Sequence, residues 1–208
     1  MKPYNEDSFV DPGSLPALEP ILKSWLDVQR KYEAAMNNEE PAWCYLERTC
    51  IGFLSAAAWM SGGVTLEEWG IEKNWPDAES SHGRCDLYIF HNNNQFFIEA
   101  KHAYSNPTGD NERELDHIRA RLNAAVRDAS VLAWSERSEQ LGVLFVVPVY
   151  RPGSHPGNFD DDITAWLQRV ATVPHSAMAW LFQPRKNIQG PNTEYVSPGI
   201  LLLARTPD

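Results

Sequence analysis

Apolar residues recur every three or four positions in two stretches near the start of the chain, a spacing that is typical of helices with one buried face. The first stretch predicts a helix over about residues 16–36, and the second predicts a helix over about residues 41–60 that ends at Gly62 and Gly63. Residues 1–15 hold prolines and a glycine with little apolar content, and we expect them to form an extended arm. The apolar positions of the first helix are Leu18, Ile21, Leu22, Trp25 and Val28.

Shorter apolar runs predict strands in the middle of the chain. Residues 85–90 and 95–102 form two such runs on either side of an asparagine-rich tip, which indicates a hairpin. Residues 141–150 are apolar at nearly every position, as expected of a strand that is buried on both faces. The other predicted elements are helices over about residues 111–134 and 160–173 and strands within about residues 64–75, 176–182 and 199–205.

The predicted elements follow the order α, α, β, β, β, α, β, α, β, β. Strands on both sides of crossover helices indicate an α/β fold with a mixed central sheet flanked by helices. A length of 208 residues suits one domain with a sizeable core. We therefore expect a single domain over residues 16–208, with its core over about residues 41–150 and a C-terminal α/β extension over residues 151–208.

The composition is that of a soluble globular protein, with 43 % apolar and 22 % charged residues. The apolar stretches are shorter than the ~18 residues that a membrane helix needs, and the first residues lack the apolar region of a secretion signal. Cys44, Cys50 and Cys85 have no CxxC spacing, which suits free thiols in a reducing compartment. We expect a cytoplasmic protein without a membrane partner.

The formal net charge of −10 argues against a broad nucleic-acid surface, because affinity for phosphate comes mainly from lysine and arginine. The charge is unevenly distributed, since residues 113–127 hold four arginines against two acidic residues. This segment forms either a local basic face or the solvated side of a helix, and the sequence leaves both readings open.

Three charged residues of the predicted hairpin can meet on one face of the sheet. Glu99 and Lys101 are two positions apart on one strand and therefore point the same way. Asp86 lies on the preceding strand, where a two-residue turn at residues 92–93 would set it opposite Glu99. A turn at residues 93–94 would set Asp86 opposite Lys101 instead, and opposed residues share a face in either register. A three-residue loop without a bulge would put Asp86 on the other face.

Glu47 lies in the second predicted helix, and the helical face that it shares is apolar. The members of that face are Trp43, Cys50, Ile51 and Leu54. A carboxylate within an apolar stripe is costly unless it is paired or binds a cation. Glu47 therefore either lies at the edge of the stripe beside an arginine or joins the hairpin acids at a metal ion.

These residue types suit the hydrolysis of phosphodiesters, which needs charge to be neutralised on the phosphate and a water to be activated near neutral pH. Mg²⁺ and similar hard divalent ions prefer carboxylate and carbonyl oxygens. Asp86, Glu99 and the Ala100 carbonyl would supply such oxygens, with help from Glu47. A metal ion there would act as Lewis acid, water activator and template. Lys101 is expected to orient or deprotonate the attacking water, or to stabilise the developing charge.

The hairpin and the elements around it resemble the core of the PD-(D/E)xK nuclease superfamily, which has a restriction-endonuclease-like fold. Asp86 matches the first acid of the motif, and residues 99–101 (Glu-Ala-Lys) match its ExK triplet. Cys85 stands where the pattern has proline, a substitution that the superfamily tolerates. Glu47 matches the acid that many members carry on the preceding helix. The α-β-β-β-α-β core of the family would cover about residues 41–150.

The resemblance implies a nuclease that depends on Mg²⁺ or Mn²⁺ and acts on nucleic acid, usually DNA. Arg84, on the Asp86 face of its strand, and Arg119, in the basic segment, are the candidates for contacts to phosphate. A homodimer would help an acidic single domain to span a duplex. A binding or assembly protein that keeps the fold without catalysis is the alternative, and a metal-dependent enzyme that cleaves a smaller phosphate ester is a third reading.

Overall fold

A computed structural model describes residue 4 and residues 6–37, 41–75, 79–132, 138–150, 159–182 and 196–207. The strands along these residues are β1 (Ser8–Asp11), β2 (Val64–Lys73), β3 (Ser81–His91), β4 (Asn94–Ser105), β5 (Ser138–Pro148), β6 (Ala177–Phe182) and β7 (Gly199–Arg205). The helices are α1 (Glu19–Ala35), α2 (Glu47–Met60), α3 (Asn111–Ser130) and α4 (Phe159–Val170).

The seven strands form one mixed sheet in the order β1-β6-β7-β5-β4-β3-β2. β2, β3 and β4 pair antiparallel, β4 and β5 pair parallel, and the remaining pairs are antiparallel. α3 forms the crossover between β4 and β5, which a parallel pair requires. The predicted α/β class, with a mixed sheet flanked by helices, is confirmed.

The helices form one layer on each face of the sheet. α1 and α2 cover the first face, where Trp25 is fully buried, and α3 and α4 cover the second, where Trp166 is buried. Successive residues of a strand point to opposite layers, as Leu144 and Phe145 of β5 show. Among the described residues, no helix is both long and apolar enough to cross a membrane. The three cysteines are free thiols, as predicted.

β5, the strand that pairs in parallel with β4, is deeply buried. It is buried from Leu141 to Pro148, which confirms the prediction of a strand covered on both faces. Gly142 lets α3 lie directly on the strand, because a Cβ at this position would come within 2.4 Å of the Val126 backbone nitrogen. α3 is therefore held closely over β5, and its side chains keep a fixed position over the neighbouring strand β4.

Part of the predicted N-terminal arm belongs to the sheet. Residues Ser8–Asp11 form β1, which pairs antiparallel with β6 at one edge. Phe9 packs on Trp180 with ring centroids 4.6 Å apart. The prediction of an arm over residues 1–15 is wrong for this segment. An edge strand is held by backbone hydrogen bonds, which the mixed polarity of four residues does not reveal.

The second predicted helix begins later than expected. Residues Ala42–Cys44 form a separate 3₁₀ turn, Leu46 is extended, and α2 starts at Glu47. The prediction that Trp43 shares a helical face with Glu47 is therefore wrong. Tertiary packing determines this start, because Trp43 is fully buried and its indole N–H donates to the Ser197 carbonyl at 3.4 Å.

The other predicted elements are present with shifted ends. The two strands of the hairpin extend further than predicted, since β3 starts at Ser81 and β4 ends at Ser105. α3 ends at Ser130, and residues 133–134 of the third predicted helix lie outside the described residues.

Candidate functional site

A two-residue turn at residues 92–93 (Asn-Asn) joins β3 to β4, with φ values of 49° and 64°. Asparagine tolerates this left-handed conformation, which tight hairpin turns require at both positions. Backbone pairing runs from the turn to Leu87 and Ile98. The same register, extended by one residue, sets Asp86 opposite Glu99. The first of the two registers considered from the sequence is therefore the one that forms.

β3 and β4 separate immediately beyond this point. β3 stays paired with β2 as far as Ser81, whereas β4 stays paired with β5 as far as Ser105. Where the strands part, the Ala100 N–H donates to Asp86 Oδ2 at 2.7 Å. The N–H and C=O of one strand residue point to the same side, so the Ala100 carbonyl also points toward β3. We call the opening between these diverging strands the cleft.

Glu99 is the most buried carboxylate of the cleft, with 4 % of its surface exposed. Its Oε1 accepts a hydrogen bond from Lys73 Nζ at 2.7 Å. Burial raises the pKa of Glu99 to about 7, and the charge of Asp86 adds to the rise, although Lys73 and Lys101 oppose it. The charged form of Glu99 is therefore disfavoured, and an added cation would stabilise it.

Lys101 lies two positions after Glu99 on β4, so its side chain faces the same cleft. Its Nζ lies 3.0 Å from Asp128 Oδ2 on α3. Burial alone would lower the pKa of Lys101. The hydrogen bond and charge of Asp128, followed by the charges of Asp86 and Glu47, outweigh burial and raise that pKa above its usual value. Lys101 is therefore a cation at neutral pH.

Glu47, the first residue of α2, approaches the cleft from the other helical layer. Its half-buried carboxylate interacts with the charges of Lys101, Asp86 and Arg121 and with the backbone of His102. Burial raises the pKa of Glu47, and this effect outweighs the opposing charge of Lys101. The N-terminal end of a helix favours a negative charge. The structure thus places Glu47 within electrostatic range of Asp86 and Lys101, with no ion pair between them among the described residues.

Arg84 lies on the Asp86 side of β3, but its side chain is engaged by another acid. Arg84 Nη1 lies 3.2 Å from Glu68 Oε2, and Arg48 Nη1 lies 2.7 Å from Glu68 Oε1. Glu68 has a positive φ of 53° and falls opposite Asp86 in the register of β2 and β3. Both arginines are exposed, so they form a small basic pair beside the cleft.

α3 directs Arg121, rather than Arg119, toward the cleft. Arg119 pairs with Asp116 at 3.0 Å on the exposed side of the helix, so the structure does not bring this predicted phosphate contact to the site. Arg121 Nη2 donates to the His102 carbonyl at 3.1 Å, and its charge acts on Glu47. Two residues that are two positions apart on a helix point in nearly opposite directions, which explains the difference.

The oxygen atoms of the cleft are the kind that hard divalent ions prefer. Asp86 Oδ1 and Glu99 Oε2 accept no hydrogen bond from the described part of the chain. Within that part, no three His, Cys, Asp or Glu side chains are already grouped around a metal position. Because they are carboxylate and carbonyl oxygens, these donors fit Mg²⁺ or Mn²⁺ in their chemistry. One of the two Glu99 oxygens is occupied by the hydrogen bond from Lys73.

Two ion-pair partners at the cleft, Lys73 and Asp128, are not among the residues that the sequence predicts for the site. Asp128 follows Arg121 by seven positions on α3, and residues seven apart share a helical face, so the sequence does hold a signal for it. Lys73 has no comparable signal. It reaches Glu99 from the end of β2, whose alignment with β3 cannot be read from the pattern of residues.

Comparison with known proteins adds no family to this description. No family model, no curated protein and no solved structure matches the chain. Function is therefore inferred from the charged side chains of the cleft and their contacts.

Proposed function

We propose that the chain has a restriction-endonuclease-like fold and hydrolyses phosphodiester bonds of nucleic acid in a reaction that depends on Mg²⁺ or Mn²⁺. DNA is the expected substrate. The observation that carries the proposal is the separation of β3 and β4 at Asp86 and Glu99. It leaves two carboxylates, a backbone carbonyl and Lys101 together at the open end of a hairpin.

The order and pairing of the elements support the fold. From α2 to β5 the chain runs α-β-β-β-α-β, with β2, β3 and β4 antiparallel and β5 parallel to β4. α2 and α3 lie on opposite faces of these strands. This arrangement agrees with the core that the resemblance to the PD-(D/E)xK superfamily implies. β1, β6 and β7 extend the sheet beyond it.

In this proposal Asp86, Glu99 and the Ala100 carbonyl hold the metal ion, and Glu47 assists from α2. A metal ion at these oxygens would supply Lewis-acid stabilisation of the phosphate and would lower the pKa of a bound water. The protein fixes the positions of its own groups. The turn at residues 92–93 sets the register, and the Ala100 amide holds the Asp86 carboxylate in place.

We expect Lys101 to stabilise the negative charge that develops on the phosphate as its ester bond breaks. The raised pKa of Lys101 means that its ammonium keeps its proton at neutral pH, so the side chain does not accept a proton from water in this state. Of the roles that the sequence allowed, orienting the water and stabilising charge fit this protonation better than deprotonating the water. Asp128 fixes the direction in which the ammonium points.

Binding of nucleic acid is expected to be local, because the chain carries a net charge of −10. The basic pair Arg48 and Arg84, together with Arg121, supplies positive charge beside the cleft. Contacts from few arginines predict weak affinity that falls as salt concentration rises. A homodimer would bring two clefts to one duplex and would compensate for this weakness.

Cleavage assays on plasmid, linear and single-stranded DNA and on RNA, each with Mg²⁺, Mn²⁺ or EDTA, test the proposal. We expect metal-dependent cleavage that is lost in Glu99→Ala and in Lys101→Ala. Lys23→Ala is the matched control, because Lys23 forms an exposed ion pair with Glu19 on α1, far from the cleft in the fold. Cleavage that survives both substitutions in the cleft would refute the assignment.

A binding or assembly protein without catalysis is the second candidate, and one observation favours it. Both charged groups of the ExK triplet already have partners in the chain, Glu99 with Lys73 and Lys101 with Asp128. A cleft that is neutralised in this way is stable without a metal ion. Absence of any shift in melting temperature with Mn²⁺, together with nucleic-acid binding that EDTA does not change, would support this candidate over the nuclease.

A further inference from the structure

The ion pair between Lys73 and Glu99 is the least exposed one among the described residues. The Lys73 side chain is 18 % exposed and the Glu99 side chain is 6 % exposed, and their charged atoms are 2.7 Å apart. The ion pair between Lys101 and Asp128 in the same cleft is more exposed, with 20 % of the Lys101 side chain and 27 % of the Asp128 side chain accessible. A buried carboxylate that lost its cationic partner would be strongly destabilised, so Lys73 stabilises Glu99 whenever no other cation does.

The local structure is built to bring Lys73 to this position. Lys73 is the last residue of β2, where it pairs with Ser81 of β3 and forms a bridge to Leu132 beyond α3. Gly83 leaves room for the aliphatic part of the side chain, because a Cβ there would lie 2.9 Å from Lys73 Cδ. The backbone of Lys73 is thus fixed on both sides, while its flexible side chain reaches across the diverging strands to Glu99.

The Lys73 ammonium and a divalent ion would each neutralise the charge of the Glu99 carboxylate. Each would offset the burial of this carboxylate and its repulsion by Asp86. Two cations on one carboxylate repel each other, and the ammonium of Lys101, whose charge also acts on Glu99, adds to this repulsion. Occupancy of Glu99 by Lys73 and by a divalent ion is therefore competitive.

We propose that Lys73 is an internal cation that neutralises Glu99 in the metal-free protein and must leave Glu99 before a divalent ion binds there. This inference rests on the proposed function, because it assigns Glu99 to the metal. It adds a regulatory residue to the site. At low metal concentration the cleft stays folded because Lys73 neutralises Glu99. The apparent affinity for the metal is the intrinsic affinity multiplied by the fraction of time for which the pair is broken.

Calorimetric titration of the full chain with Mn²⁺ tests the competition. Lys73→Met keeps the length of the side chain and removes its charge. If the pair is formed about nine-tenths of the time, this variant will bind Mn²⁺ about tenfold more tightly than the wild type. Lys73→Arg, which keeps the charge, is expected to restore affinity to within about threefold of the wild type.

Lys101→Met is the matched control, because it also removes a half-buried lysine of the cleft, but one that is paired with Asp128 instead of Glu99. A similar gain in both methionine variants would overturn the inference, since general electrostatics would then explain it. Unchanged or weaker binding in Lys73→Met would also overturn it while leaving the proposed function intact. If no variant and no wild-type protein binds Mn²⁺, the proposed function itself fails.

The wild-type protein provides a second test, which holds even if Lys73→Met does not fold. A crystal structure of the full chain with Mn²⁺ is expected to show the ion on Asp86 and Glu99, with Lys73 Nζ beyond hydrogen-bonding distance of Glu99. Mn²⁺ on Glu99 with Lys73 still at its 2.7 Å contact would overturn the competition.

Discussion

The two halves of the sheet differ in what they carry. β5, β6 and β7 are buried almost throughout and hold two charged residues, Glu139 and Arg205. β2, β3 and β4 hold eight, and these are Glu67, Glu68, Glu72, Lys73, Arg84, Asp86, Glu99 and Lys101. The first half is packed on both faces by helices, whereas the second opens into the cleft.

The apolar core and the charged cleft therefore lie largely in different strands of one sheet. Apolar residues in β5, β6 and β7 gain free energy from burial without needing partners. Charged residues in β3 and β4 are costly to bury, and each has an opposite charge or a hydrogen-bond donor beside it. Substitutions in the two halves should therefore have separable effects, on unfolding in the first and on the site in the second.

Leu203→Ala in β7 should have the largest effect on stability. Leu203 is fully buried against both neighbouring strands, and its truncation is expected to cost about 2–5 kcal/mol of unfolding free energy. Chemical denaturation gives this value. The Mn²⁺ affinity of the variant that remains folded should be unchanged. Loss of metal affinity in folded Leu203→Ala would show that the two halves are coupled.

Glu99→Gln in β4 should have the opposite profile. In the proposed mechanism Glu99 binds the metal ion, so removing its charge is expected to reduce metal-dependent cleavage at least about 100-fold. Glutamine keeps an oxygen that can accept the hydrogen bond from Lys73, so the cost in stability should be smaller than that of Leu203→Ala. Cleavage rates and melting curves measure the two effects. Glu67→Gln, at an exposed glutamate of β2, is the control and should change neither. A drop in stability as large as that of Leu203→Ala would contradict the separation.

The turn between β3 and β4 offers a smaller test. Asn93 has a φ of 64°, so Asn93→Ala is expected to lower the free energy of unfolding by about 1 kcal/mol, whereas Asn93→Gly should be nearly neutral. Denaturation curves of both variants measure this difference. Equal stability of the alanine and glycine variants would mean that the left-handed turn does not form in solution.

The two arginines of α3 give the smallest expected effect. Arg121→Ala removes the hydrogen bond to the His102 carbonyl and a charge beside Glu47, and should lower kcat/KM for cleavage about fivefold. Arg119→Ala removes only an exposed pair with Asp116 and should leave kcat/KM unchanged. Steady-state kinetics on the same DNA substrate distinguish them. A larger loss in Arg119→Ala would place the substrate on the other side of α3.

The sequence predicts the sheet, the hairpin and the grouping of Asp86, Glu99 and Lys101, because these depend on the two-residue period of strands and on local turn chemistry. β1 and the start of α2 at Glu47 are not predicted from the sequence, because both depend on packing against distant residues such as Trp180 and Ser197. Lys73 escapes prediction for a similar reason. Its contact with Glu99 spans two strand pairings, and no spacing along the chain encodes that path.

The hydrogen bond from the Ala100 amide to Asp86 has a spectroscopic consequence. Most strand amides are protected from exchange with solvent by a backbone carbonyl, whereas this one is protected by a side chain. Anything that draws the Asp86 carboxylate toward another partner uncovers the Ala100 amide without unfolding a strand. The exchange rate and chemical shift of this single amide proton therefore act as a built-in reporter of what Asp86 is bound to.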